Sequence, residues 1–137
     1  MKKYIGTKQI EAEPMTMGEA FIEGFLQRDK IPSDEEKNKK GYHVKYKDGY
    51  ESWSPVEVFD GTYRCCDTFV DRLHIELDEL KDKSEKLNKF FDTEIFKNLP
   101  KNKQTLMTAQ FGSMISYAAI LEERIRIEEQ ESKSGNR

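Results

Sequence analysis

From Val70 onward the chain sets apolar or small residues in alternating steps of three and four: Val70, Leu73, Leu77, Leu80, Ser84, Leu87 and Phe91. That spacing is a heptad seam about three repeats long, and it predicts a helix with one apolar stripe. The charges between, from Asp78 and Glu79 to Glu85 and Lys86, lie mostly off the stripe and make a solvated face. Thr68-Phe69-Val70-Asp71 reads as a capping box at the helix start, with Asp67 and Asp71 where the helix dipole favours negative charge. The pattern breaks between Asp92 and Pro100, because proline disfavours helix at Leu99. A second helix is predicted from about Lys101 to Ile127, with Met107, Gln110, Met114, Tyr117 and Leu121 continuing the three-four spacing. Two long helices joined by a short connection pack antiparallel. The acidic, then Ser/Gly/Asn-rich end should fray.

The first half follows other periods. Tyr4 to Ile10 reads as a short strand ended by Pro14. Thr16-Met17-Gly18-Glu19 fits a capping box, and the run with Ala20, Phe21, Ile22, Phe25 and Leu26 is helical in spacing. Asp29 to Lys40 is charged and apolar-poor, and reads as an exposed loop. Tyr42 to Trp53 alternates around Asp48-Gly49, the dipeptide of a tight hairpin whose two turn positions call for positive φ. Ser54-Pro55-Val56-Glu57 reads as a further capping box opening a short helix that ends near Asp60-Gly61. The aromatics here, among them Tyr42, Trp53, Phe59 and Tyr63, serve either as a base-stacking platform or as the core of a small module; the core reading is the simpler.

The fold class expected is therefore α+β: a small N-terminal antiparallel β-module with short helices over 1–65, a long antiparallel α-helical hairpin over 66–131, and a flexible tail over 132–137. Apolar residues also fall off the seam, at Phe69, Ile75 and Phe90 on the first helix and at Phe111, Ile115, Ala118, Ile120, Ile125 and Ile127 on the second. One partner helix covers one stripe, so this surplus predicts a homo-oligomer, with a twofold dimer as the basic unit.

Composition narrows the function. Hydrophobic and charged residues each make up 36% of the 137 residues, a thin core for the length. A net charge of -3 argues against nonspecific binding to polymeric nucleic acid. The sequence contains neither a stretch of the length a membrane span needs nor a secretory leader, and the adjacent Cys65 and Cys66 suggest no disulfide framework, so a reducing cytosol is expected. No catalytic constellation stands out and no cofactor or metal is implied. His43 and His74 fall in different modules without metal-ligand spacing, and there is no glycine-rich phosphate loop or nucleophile motif.

The second half, through Leu80, Leu87, Phe90-Phe91, Phe96, Leu99, Leu106-Met107, Gln110, Met114, Tyr117, Leu121 and Glu123-Arg124-Ile125, resembles the helical-hairpin domain of the Thoeris anti-defence sponge proteins of the first type, which also counter CBASS immunity. The first half, from Tyr4-Ile5-Gly6-Thr7-Lys8 to Ser52-Trp53-Ser54-Pro55, resembles a β-module found across phage-encoded proteins. The resemblance implies a phage protein, at work in the host bacterial cytoplasm, that sequesters cyclic nucleotide immune signals without cleaving them. Those signals are cyclic ADP-ribose isomers such as glycocyclic ADP-ribose and, for some members, cyclic di- or trinucleotides. It also implies sites between subunits of a dimer or a larger assembly, up to a hexamer.

Holding such an anion requires an aromatic face for the base and donors for the phosphates. The candidate ligand-binding residues are Arg64, Phe90, Phe91, Gln110, Tyr117, Arg124 and Arg126. Phe90 and Phe91 adjoin the helix break, as a stacking pair or a core plug. Gln110 on the expected seam is a ligand donor or a buried bond between helices. Arg124 interrupts the stripe between Leu121 and Ile125, so it snorkels, pairs with Glu122 or Glu123, or lines a pocket. An antiparallel hairpin returns its second helix to the level of Arg64, where Arg64, Arg124 and Arg126 could hold a pyrophosphate. The rival to a sponge is a protein-interaction module that docks its spare apolar stripe on a host protein.

Overall fold

In the computed structural model, which describes residues 1–135, a three-stranded antiparallel sheet in the order β1-β2-β3 organises the first half of the chain. Strand β1 is Glu11–Thr16, β2 Lys40–Lys45 and β3 Glu51–Pro55. The strand expected at Tyr4 to Ile10 is not formed; residues 1–10 carry no regular structure, and the strand starts where β2 offers a partner, from Glu11 opposite Lys45 to Thr16 opposite Lys40. Pro14 does not end it, because β1 is an edge strand and a missing N–H costs little there.

Helix α1, Met17–Glu23, opens as expected with the Thr16 hydroxyl accepting from the Glu19 amide at 3.2 Å. It stops short of Phe25 and Leu26. Gly24 takes a φ of +82°, and the Gly24 and Phe25 amides turn back to the Phe21 and Ala20 carbonyls, which closes the helix with a Schellman motif. The loop to β2 contains a short 3₁₀ turn, Glu36–Asn38, tied by reciprocal Ser33–Glu36 hydrogen bonds. At the hairpin tip only Gly49 has positive φ, +91°, while Asp48 does not; Gly49 bonds back to Tyr46, and Tyr46 to Tyr50. The tip is thus a wider loop with a glycine bulge rather than the two-residue turn expected. The capping box expected at Ser54 is also absent. Ser54 stays in β3, its hydroxyl turned to the Pro55 carbonyl, and Pro55 itself caps α2, Val56–Thr62.

The aromatics of this unit pack on one another. Tyr42 stacks on Phe59 at 3.9 Å, Phe25 on His43 at 4.1 Å, and the Trp53 indole donates to the Met15 carbonyl at 2.8 Å. Together with buried Met17, Ala20 and Val44 they are the core of the small module. The chain divides after this module, into Met1–Arg64 and Cys65–Arg137.

The second unit is a helical hairpin of α3, Phe69–Phe90, a single turn α4, Glu94–Lys97, and α5, Lys101–Lys133. Thr68 and Asp71 complete the capping box reciprocally, each amide held at 3.0 Å by the other's side chain. At the break, the Gln104 side-chain amide donates at 3.1 Å to the carbonyls of Phe96, Lys97 and Leu99, and the Phe96 carbonyl accepts from the Leu99 amide as well. The seam of α3 is the one expected, with Leu73, Leu77 and Ser84 buried and Leu80 packed on the same core. The seam of α5 keeps the expected Met107, Met114 and Leu121 but takes Phe111 and Ala118 in place of Gln110 and Tyr117. Ala118, Leu121 and Ile125 are buried and Phe111 and Met114 half-buried, while Gln110 and Tyr117 are exposed. Two three-four rows run side by side on α5, and the more apolar row takes the contact with Leu73 and Leu77. Gln110 is therefore not the buried bond between helices.

Helix α5 also runs past Ile127 to Lys133, so Ser132 and Lys133 of the expected tail are helical; Asn136 and Arg137 lie outside the described residues. Among the described residues, no helix is long and apolar enough to cross a membrane.

Candidate functional site

The row displaced from the seam carries the chemistry. Gln110, Tyr117 and Arg124 are spaced by seven on α5, so they line one flank of the hairpin. Phe69 and Glu76, also seven apart, line the matching flank of α3. The two rows meet rung by rung. The Arg124 guanidinium carbon lies 5.6 Å from the Phe69 ring centroid, a cation–π contact, and the Tyr117 hydroxyl donates to the Glu76 carboxylate. The Glu76 hydrogen bond, helped by partial desolvation, raises the Tyr117 pKa above the usual phenol value, while the nearby Arg124 charge pulls it down. The opposite flank has its own heptad rungs, His74 to Glu129 at 2.9 Å and Lys81 to Glu122 at 3.0 Å, and these are exposed ion pairs of modest worth.

Around Arg124 the surface sinks into an open depression of about 420 Å³, lined by Phe69, Arg72, Ile75, Glu76 and Glu79 besides Arg124 itself. Arg72 is occupied: its guanidinium donates to the Cys66 and Asp67 carbonyls at 3.3 and 3.4 Å. Arg126 is occupied too, paired with Glu123 and donating to Gln130 at 2.9 Å. Arg124 makes no hydrogen bond or ion pair with another described residue. Of the three fates open to it, it lies on an aromatic face and lines a depression; the carboxylates beside it in sequence are engaged by Lys81 and Arg126.

Of the seven candidate residues, the fold brings Tyr117 and Arg124 into one neighbourhood. Gln110 lies further along their row, exposed. Arg126, two residues from Arg124, points to a different side of α5 because each residue turns the helix by about 100°. Phe90 and Phe91 sit at the far end of the hairpin, the 22-residue length of α3 away from Phe69. There they pack on Phe96 at 6.0 and 4.8 Å, and Phe91 on Phe111 at 5.6 Å, as a core plug would. Arg64 closes the N-terminal unit. Reading the chain alone missed Phe69 and Glu76 as site residues. The signal that could have found them is the pair of matched seven-residue intervals, 69 to 76 and 117 to 124.

Both histidines have partners. His43 lies between Glu13 and Glu51 at 3.2 and 3.0 Å, and His74 meets Glu129. Among the described residues, no group of three or more His, Cys, Asp or Glu side chains is placed to hold a metal ion.

Comparison with known protein families matches residues 67–127 to the family described as Sequestin, a segment that takes in all of α3 and most of α5. Comparison with curated proteins and with solved structures finds no match. The family match coincides with the hairpin that carries the Phe69–Arg124 and Tyr117–Glu76 rungs, and it agrees with the resemblance to the anti-defence sponge proteins. In its helical unit, over residues 67–127, this chain is therefore similar to the Sequestin family.

Proposed function

We propose that the protein is a non-enzymatic sponge that binds cyclic nucleotide immune signals and holds them away from their receptors, as a phage anti-defence factor in the bacterial cytoplasm. The signals proposed are cyclic ADP-ribose isomers such as glycocyclic ADP-ribose, together with cyclic di- and trinucleotides, so that Thoeris and CBASS immunity are both blocked. The observation that carries this reading is the family match over the hairpin.

The site chemistry supports it. A guanidinium seated on a phenylalanine ring, with its N–H donors unengaged, suits a phosphate oxygen. The depression around Arg124 is open on the single chain, and a second copy meeting it would complete the pocket. Exposed Leu106, Ile115, Ile120 and Ile127 on α5 supply apolar surface for that meeting. Assembly would let Arg64, Gln110, Arg126 and the Phe90-Phe91 end of another copy contribute to pockets that a single hairpin cannot build.

A sponge must bind tightly and release slowly, and tight binding to the folded state raises thermal stability by mass action. Titration with glycocyclic ADP-ribose, its isomers and a set of cyclic di- and trinucleotides should raise the melting temperature for at least one, and heating the complex should return that ligand intact. No shift at large excess removes the sponge reading, and a cleaved ligand makes the protein an enzyme. A second reading, docking on a host protein, draws on the same exposed positions of α5. It predicts one stoichiometric bacterial protein in a pulldown and no stabilisation by any nucleotide.

A further inference from the structure

Glu76 lines the same depression as Arg124, yet its carboxylate is engaged by the Tyr117 hydroxyl and not by the guanidinium. This matters because a carboxylate and a phosphate compete for the same donors. Both accept paired, charge-assisted hydrogen bonds from arginine, and an arginine already forked onto a carboxylate has little left to offer an anion. Phe69 restrains Arg124 differently. The ring attracts the cation through its face and uses none of the N–H groups.

We propose that Tyr117 is a positioning residue: by holding Glu76 it keeps the Arg124 donors open for the phosphate of the bound signal. The proposal rests on the reading that Arg124 receives that phosphate. It assigns Tyr117 a role that acts through Glu76 rather than by contact with ligand, and it makes Phe69 and Tyr117 a matched pair, one restraining the cation and the other its competitor. The heptad geometry places the device. Tyr117 and Arg124 are two helical turns apart on α5, opposite Glu76 and Phe69 on α3, so one hairpin register sets both rungs. Glu79, one turn beyond Glu76, lines the depression as well, further from the Phe69 rung.

The test uses the full chain as wild type, Tyr117→Phe, Glu76→Gln, the double variant and Arg124→Ala, titrated calorimetrically with glycocyclic ADP-ribose and with inorganic pyrophosphate. Removing the hydroxyl should free Glu76 to pair with Arg124 and weaken binding about fivefold, the scale of an exposed ion pair. The double variant should return to within about twofold of wild type, since no competing carboxylate remains. Wild-type affinity in Tyr117→Phe, or a double variant as weak as Tyr117→Phe, overturns the proposal; the latter would mean that Tyr117 touches the ligand or only braces the helices.

The Arg124 side-chain Nε–H resonance in unliganded protein gives a readout that needs no ligand. It should become protected from exchange in Tyr117→Phe and lose that protection in the double variant. If wild type binds neither probe but this pattern appears, the ligand assignment fails while the device stands. If the resonance does not move, the device fails whatever binds.

Discussion

Single residues settle several details of this molecule. Gly41 is the sharpest case. A Cβ there would fall 2.3 Å from the Ser54 carbonyl oxygen and 2.4 Å from the Trp53 indole, which lies across the glycine and anchors on Met15. Gly41→Ala should therefore destabilise the N-terminal unit by about 2–4 kcal/mol, the scale of core overpacking with backbone displacement, and denaturant titration followed by Trp53 fluorescence will report it. Glu36 offers a pH handle. Hydrogen bonds from Lys30, then from the Ser33 amide, hold its pKa at about 2 against an ordinary 4.5. A depressed carboxyl stabilises the fold above its unfolded pKa, and that contribution is lost as pH falls from about 4.5 toward about 2. Stability profiles over that range should fall less steeply in Glu36→Gln than in wild type, and parallel profiles would show that the Lys30–Glu36 pair contributes nothing. Because the pair is solvent-accessible, salt should flatten the difference.

Elements were legible to different depths, for reasons that lie in particular residues. The α3 seam could be read position by position because charged residues crowd both its flanks over 78–86, leaving one row through Leu77, Leu80 and Leu87. On α5 the rows Gln110-Met114-Tyr117 and Phe111-Met114-Ala118 share a member and a period, and only the opposing Leu73, Leu77 and Leu80 choose between them. That choice turned two residues assigned to the seam into the exposed row that carries the site, so Tyr117 and Arg124 were legible and their partners Phe69 and Glu76 were not. Contacts across helices depend on register, which no single helix contains. In the first half, Gly24 ended α1 ahead of an apolar pattern that continued, and β1 formed where β2 could pair with it rather than where strand propensity was highest. The element-scale expectation separates cap from core: Thr68→Ala should cost about 1 kcal/mol and fray only the start of α3, whereas Leu121→Ala, at a fully buried position, should cost about 2–5 kcal/mol and loosen the whole hairpin. Hydrogen exchange along α3 distinguishes the two, because a cap effect stays within the first turn.

At the scale of the whole molecule, the α+β class followed from the change of period between the two halves. Self-association was read from apolar residues in excess of one seam, and Leu106, Ile115, Ile120 and Ile127 remain exposed on α5 in the single chain. Sedimentation at micromolar concentration should give a mass that is a multiple of 16.1 kDa, and Ile120→Asp should shift it toward the single chain while leaving helix content unchanged. A lone 16.1 kDa particle at that dilution would overturn the proposal that a second copy closes the depression around Arg124.

Both flanking ladders and the buried stripe of the hairpin repeat with the same interval, so its length is quantised. Losing one residue from α3 would swing Phe69 and His74 off their counterparts at once and turn the greasy edge outward. Excising seven from each arm would preserve every surviving rung and shorten the rod by about 10 Å. Diversification of such a scaffold must then proceed in whole repeats, and each step would move the plugged phenylalanine end nearer to, or farther from, the cationic end without altering the chemistry of either.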